Sequence, residues 1–245
     1  NTKSLRFAAG SNAYLVGNAA NMNVMQRATN GTGASDAWSI AMWIRPGGNS
    51  ATSHILNYGT DSTLNAGGVM LTQQSINNLV MTYGSGANYI GFAAVGVFTP
   101  TQWHHVLLTY DGGTTGAASG SLSAYYSRFK LVIDGVVISP TFLQSNYGYT
   151  GSIPATNFFI GKNVFGSNPL QYARINQMAF WGSNQFANRS ALYNGGATMD
   201  LTGLGTPPDH YYEIEDSVTT IEDLTGNADL TGYNLLTTDL VNDVP

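Results

Sequence analysis

Asp134-Gly135 is the dipeptide that most constrains what this chain can fold into. It separates two apolar runs, Phe129-Lys130-Leu131-Val132-Ile133 and Val136-Val137-Ile138. Both residues of a tight hairpin turn take φ > 0, which Asp and Gly tolerate, so the stretch reads as a β-hairpin. The run before it, Trp103-His104-His105-Val106-Leu107-Leu108-Thr109-Tyr110, is equally rich in aromatic and β-branched residues, which suit a pleated, half-buried surface. It reads as a strand that stops at the turn Asp111-Gly112-Gly113.

Strand signals recur along the chain. Residues 4–8 and 13–16 are short candidates, and residues 37–46 form a stronger one. There Trp38, Ile40, Met42 and Ile44 fall on one face at period two, while Ala41 and Trp43 make the other face partly apolar, as in an inner strand. Further strands are expected at 54–58, 68–72, 78–83, 89–94, 158–161 and 173–181, with turn residues in the gaps. Met22, Val24 and Met25 interrupt a polar loop and are expected to dock on a sheet. Residues 114–121 are small and Gly-rich and read as a loop. Residues 184–194 are the one helix candidate, with Ser183 or Asn184 as its cap and Gly195-Gly196 as its stop. This is the pattern of an all-β, two-sheet antiparallel jelly-roll sandwich with one short helix.

At 245 residues and 26.0 kDa the chain has ample core for one large sandwich, and no cysteine is needed to staple it. The absence of Cys excludes a thiolate zinc site and a cysteine nucleophile. Charged residues are 9% of the chain and the net charge is −5, with no basic stretch, so neither nucleic acid nor an anionic membrane is an expected partner. No apolar run is long enough for a membrane span. The chain opens on Asn1 with no secretory leader, as expected of a processed product or a fragment.

Trp-Ser-Ile-x-x-Trp-Ile at 38–44, Trp-His-His-Val-x-x-Thr-Tyr-Asp-Gly at 103–112 and Leu-x-Ile-Asp-Gly at 131–135 together resemble the laminin G-like, concanavalin A-like jelly-roll family of lectins and glucanases. The resemblance runs from residue 4 to about 196. Its signature positions here are Trp38, Trp43, Trp103, His105, Asp111, Asp134, Gly135, Gly161, Trp181 and Tyr193. His210-Tyr211-Tyr212-Glu213-Ile214 followed by Asp223-Leu224-Thr225-Gly226-Asn227 is similar to the tails of such proteins encoded by phages and other viruses. The division expected from this is a jelly roll over 1–200 and a C-terminal segment, 201–245, that packs back on it and reaches a neighbouring subunit.

Members of the family often bind calcium through Asp, Asn and backbone carbonyls. Where their last core strand carries Ile-Asp-Glu, this chain has Ile175-Asn176-Gln177, so both charges are missing. Asp36, Asp61 and Asp111 are the weak metal candidates that remain, and calcium is the one cofactor left open. Asp111 and Asp134 are also explained by turn chemistry. Glu213 and Glu215 alternate on one strand, as the carboxylate pair of a retaining glycosidase would. They lie in the C-terminal segment with no third acid in place, and read as a solvated acidic edge strand. His104 and His105 point to opposite faces and cannot chelate one metal. Neither a Gly-x-Ser-x-Gly elbow nor a phosphate-binding Gly loop occurs. No catalytic residue is therefore expected. Tyr83, Tyr89, Tyr125, Tyr126, Tyr147, Tyr149 and Tyr172 fall in or near expected loops, where they suit protein interfaces or sugar stacking. The first expectation is a non-enzymatic virion structural protein, a homo-oligomer docking on other virion or surface proteins, located on the virion or outside the cell. The alternative is a secreted or cell-surface lectin module that binds glycans.

Overall fold

In a computed structural model the chain forms two packed antiparallel sheets. The structure describes residues 2–26, 37–48, 52–59, 68–85, 88–112, 128–139, 141–145, 153 and 155–245. The strands are β1 (Ser4–Arg6), β2 (Tyr14–Gly17), β3 (Trp38–Arg45), β4 (Ser53–Gly59), β5 (Gly68–Gln74), β6 (Asn78–Ser85), β7 (Asn88–Ala94), β8 (His104–Tyr110), β9 (Phe129–Ile133), β10 (Val136–Ile138), β11 (Thr141–Ser145), β12 (Phe158–Ile160), β13 (Arg174–Trp181), β14 (His210–Glu213), β15 (Thr220–Ile221), β16 (Leu230–Tyr233) and β17 (Leu240–Val241). Among the described residues the first sheet runs β10-β9-β8-β3-β13-β1-β17, with β14 also paired to β13. The second runs β11-β7-β6-β5-β4-β12-β2-β16-β15.

Alternation places the core. Trp38, Ile40, Met42 and Ile44 of β3 face inward, as do Val106, Leu108 and Tyr110 of β8. Leu56 and Tyr58 of β4 and Leu79, Met81 and Tyr83 of β6 meet them from the second sheet. Met22 and Met25 are fully buried in the same core. A second apolar layer covers the outer face of the first sheet. There Ala41, Leu107, Val132, Ala179, Trp181 and Tyr211 pack under Leu192 and Leu201. Leu192 belongs to α1 (Arg189–Tyr193), the described α-helix, which follows a 3₁₀ turn at Phe186–Asn188. The expected cap at Ser183 or Asn184 falls earlier than the observed starts, Gln185 before the 3₁₀ turn and Asn188 before α1; Asn184 instead accepts from Phe186 N–H at 2.9 Å in a local turn. Here Asn194, at φ +48°, takes the left-handed position that ends α1, one residue before the glycines. The helix is shorter than the apolar stripe suggests because Leu192 is its one buried residue.

The C-terminal segment contributes strands to both sheets: β14 and β17 to the first, β15 and β16 to the second. Ile221 and Leu230 enter the main core, Leu235 packs against it, and Leu224 and Leu236 are exposed. The last residues are also pinned by charge. Arg6 bonds the buried Asp239 at 3.0 Å, and Arg45 and Arg174 share Asp243, whose other carboxylate oxygen accepts from Trp103 Nε1–H at 3.2 Å.

At the end of β12 the chain bends at Gly161, which has φ +90°. A Cβ there would lie 2.6 Å from a ring carbon of the buried Phe7. Gly161→Ala should therefore combine backbone strain with overpacking and destabilise by about 2–4 kcal/mol. A thermal melt checks this; an unchanged midpoint would contradict the packing described.

Candidate functional site

The outer face of the second sheet carries an aromatic group built from three elements. In β2, Leu15 and Gly17 point inward, so Tyr14 and Val16 point out. Tyr233 of β16 lies directly opposite Tyr14 in the ladder. The two rings stack at 5.0 Å between centroids and 8° between planes. Phe159 of β12, the cross-strand partner of Val16, meets Tyr14 edge-on at 6.4 Å. Lys162, just past the Gly161 bend, places its Nζ 3.4 Å from the Tyr14 centroid and 4.5 Å from that of Phe159. Such ring–cation contacts fix the side chain by cation–π attraction. Tyr233 keeps 46% of its surface exposed.

The segment after Lys162 is tied down on the same face. Asn163 donates to His54 Nε2 at 3.1 Å and to Ser167 Oγ at 2.7 Å, and Val164 N–H donates to Asn57 Oδ1 at 3.1 Å. His54 Nδ1 meets Thr72 Oγ1 at 3.3 Å. With Nε2 accepting, the ring is neutral, and burial lowers its pKa to about 4. Phe165, at the exposed tip of this segment, is 68% accessible.

A second concavity, an open cleft of about 480 Å³, is lined by Glu213, Glu215, Asp216, Glu222 and Asp229 with Ile221 and Leu224. Glu213 accepts from Tyr211 O–H and, at 3.3 Å, from Gln177 Nε2. Glu215 accepts from Thr2 through both N–H and O–H. Burial raises the Glu215 pKa, but the Thr2 hydrogen bonds outweigh it and hold the carboxyl below its ordinary value. That is the reverse of what a proton donor in glycoside hydrolysis needs. Glu213 is half-buried and hydrogen-bonded, which corrects the picture of a fully solvated acidic strand.

The signature residues prove to be structural neighbours. Trp43, His105 and Tyr193 pack together on the outer face of the first sheet, with centroids 5.1–6.2 Å apart. Gly135 sits under Tyr193, whose ring carbon would lie 2.8 Å from an added Cβ. Trp181 Nε1–H donates to Thr206 O at 3.1 Å. His105 is buried, which lowers its pKa to about 4 although the nearby Asp134 carboxylate raises it. Asp134 does more than form its turn. Its carboxylate accepts from His104 Nδ1–H at 2.7 Å and His105 N–H at 2.8 Å, while His104 Nε2 accepts from Thr99 N–H at 2.9 Å. Asp223 repeats this device in the C-terminal segment with His210 and the N–H of Tyr211.

Of the metal candidates, Asp111 is bound to Arg128 at 3.1 Å, and Asp36 and Asp61 lie outside the described residues. Among the described residues no cluster of three or more His, Asp or Glu is placed to hold an ion. Asn176 Nδ2 donates to Lys3 O, and Gln177 Nε2 to Met199 O at 2.8 Å. Of the loop tyrosines, Tyr83 is instead a buried core residue of β6, and Tyr172 is exposed. Tyr125, Tyr126, Tyr147 and Tyr149 lie outside the described residues, as does the loop at 114–121. Tyr14 and Tyr233 escaped sequence reading; period two within 14–17 was the available signal for Tyr14.

A family model described as the concanavalin A-like lectin/glucanases superfamily matches residues 17–185. The chain belongs to that superfamily. A candidate carbohydrate-binding protein of Bacteroides ovatus superposes with a TM-score of 0.59 at 16% identity over 94% of this superfamily member; the match spans 58% of the Bacteroides chain. The heptameric SAP-like pentraxin of Limulus polyphemus superposes with a TM-score of 0.53 at 14% identity, over 94% of each chain. No curated protein matches the sequence. At these identities the solved structures establish the shared two-sheet sandwich.

Proposed function

We propose that the protein is a non-catalytic carbohydrate-binding module that acts outside the cell. The observation that carries this reading is the half-exposed Tyr233 ring, stacked on Tyr14 beside Phe159 and Lys162. A rigid ring on a strand can lie against the C–H face of a sugar with little loss of side-chain freedom. The relatives reported above, among them a candidate carbohydrate-binding protein, favour this reading over a virion subunit. In the acidic cleft, the Thr2 hydrogen bonds hold the Glu215 carboxyl below its ordinary value, which does not suit it as a proton donor.

A glycan array followed by calorimetry tests the proposal. Tyr233→Ala should lower affinity for the glycan that binds by about tenfold or more. Its melting temperature should fall only slightly, since the ring is half-exposed and packs on Tyr14. Undiminished affinity in that variant would remove the platform from the account. Co-sedimentation of the chain with virus particles, without any glycan bound, would restore the virion reading.

A further inference from the structure

We infer that the glycan taken by this surface is an acidic one. Its carboxylate or sulfate meets the Lys162 ammonium while a sugar ring lies against Tyr233. The inference rests on the glycan-binding reading above and adds the ligand's chemical class.

Among the described residues four arginines are ion-paired, while Lys3, Lys130, Lys162 and Arg189 have no carboxylate partner. Arg6 is paired with Asp239, Arg45 and Arg174 with Asp243, and Arg128 with Asp111. Lys162 has no carboxylate partner among the described residues and stands against the rings of Tyr14 and Phe159. An aromatic face attracts an ammonium but accepts none of the strong hydrogen bonds that its three N–H donors can make. A half-buried ammonium with free donors is therefore held in place beside the exposed ring.

Position and charge agree. The Gly161 bend, closed against Phe7, fixes where Lys162 leaves β12, and the Tyr14–Tyr233 stack fixes the ring beside it. None of Tyr14, Phe159, Lys162 and Tyr233 is acidic, and Glu222 and Asp229 of the open cleft sit at the far end of the β15–β16 pair, beyond Ile221 and Leu230. An acidic sugar offers the two features this arrangement complements, an apolar ring face and an anion at its rim. Charge-assisted hydrogen bonds are the stronger class, and a pre-placed donor loses little entropy on forming one.

The test uses the full chain and matched glycans that differ in charge alone. The pairs are oligogalacturonate with its methyl ester, chondroitin sulfate oligosaccharides with desulfated ones, and sialyllactose with its sialic acid methyl ester. The first and third pairs isolate a carboxylate and the second a sulfate. In at least one pair the acidic member should bind roughly tenfold tighter by calorimetry. Lys162→Met should abolish that difference, and Tyr233→Ala should weaken both members. Equal affinities within every pair, or a preference that survives Lys162→Met, would overturn the charge selection and leave the glycan-binding reading standing. If no member of any pair binds the parent protein while the glycan array shows a neutral ligand, the acidic class is overturned and the binding reading stands; an array without any hit overturns both.

Discussion

Asp223→Ala should cost about 3–5 kcal/mol, enough to leave the C-terminal strands poorly folded. The carboxylate is fully buried and accepts from His210 Nδ1–H at 2.6 Å and from the N–H groups of Tyr211, Gly226 and Ala228 at 3.0–3.1 Å. Alanine would leave all of these donors inside the protein without an acceptor. No side chain can be added at Gly226 to fill the gap, because a Cβ there would lie 2.5 Å from His210 Nδ1 and 2.7 Å from the Asp209 carbonyl oxygen. Burial raises the Asp223 pKa, but the bonds from His210, Tyr211, Ala228 and Gly226 outweigh it and bring the value to about 2. Its contribution is therefore present above the unfolded carboxyl pKa of about 3.9 and is lost as pH falls towards 2. Urea unfolding at neutral pH measures the effect; a midpoint within error of the parent's would refute it.

A steep loss of stability between about pH 6.5 and pH 4 is the second large effect expected. His54 and His105 are both buried neutral, with pKa values lowered to about 4 by burial. The unfolded chain titrates these rings near pH 6.5, so between pH 6.5 and 4 it binds protons that the folded chain refuses. Stability is then full above pH 6.5 and falls as pH falls, by at most about 3 kcal/mol for each ring. Protonating His54 also removes the acceptor that holds Asn163, which loosens the segment beyond Lys162. Urea midpoints measured from pH 7 to 4 should show this slope, and His105→Gln should remove about half of it. A flat profile across that window would mean that the two rings are accessible to protons in the folded state.

Sandwich and core were legible in the sequence because strands announce themselves locally. Trp38, Ile40, Met42 and Ile44 alternate without a break, and every one is buried. Asp134-Gly135 marks its turn by backbone chemistry alone. Tyr83 closes the strand expected at 78–83, and its place on the core face follows from the period it shares with Leu79 and Met81 rather than from the loop beside it. What stayed hidden depends on contacts between distant segments. Tyr14 and Tyr233 lie near opposite ends of the chain, and neither has a neighbour in sequence that hints at the other. The second use of Asp134, and the matching use of Asp223, is equally invisible: a turn aspartate looks the same whether or not a histidine lies across the strand.

The ladder that joins Ser4 to Val241, and the one that joins Tyr14 to Tyr233, have a consequence for the order of events during synthesis. Both pair strands within residues 4–17 with strands within residues 230–241. Until the C-terminal residues emerge, β1 and β2 each wait with one edge unpaired, open to the wrong partner. Pairings this distant in sequence delay folding, because the entropy of closing so long a loop is lost before the contacts are gained. A nascent chain of this kind should therefore lock late and abruptly, once residues 230–241 have been made.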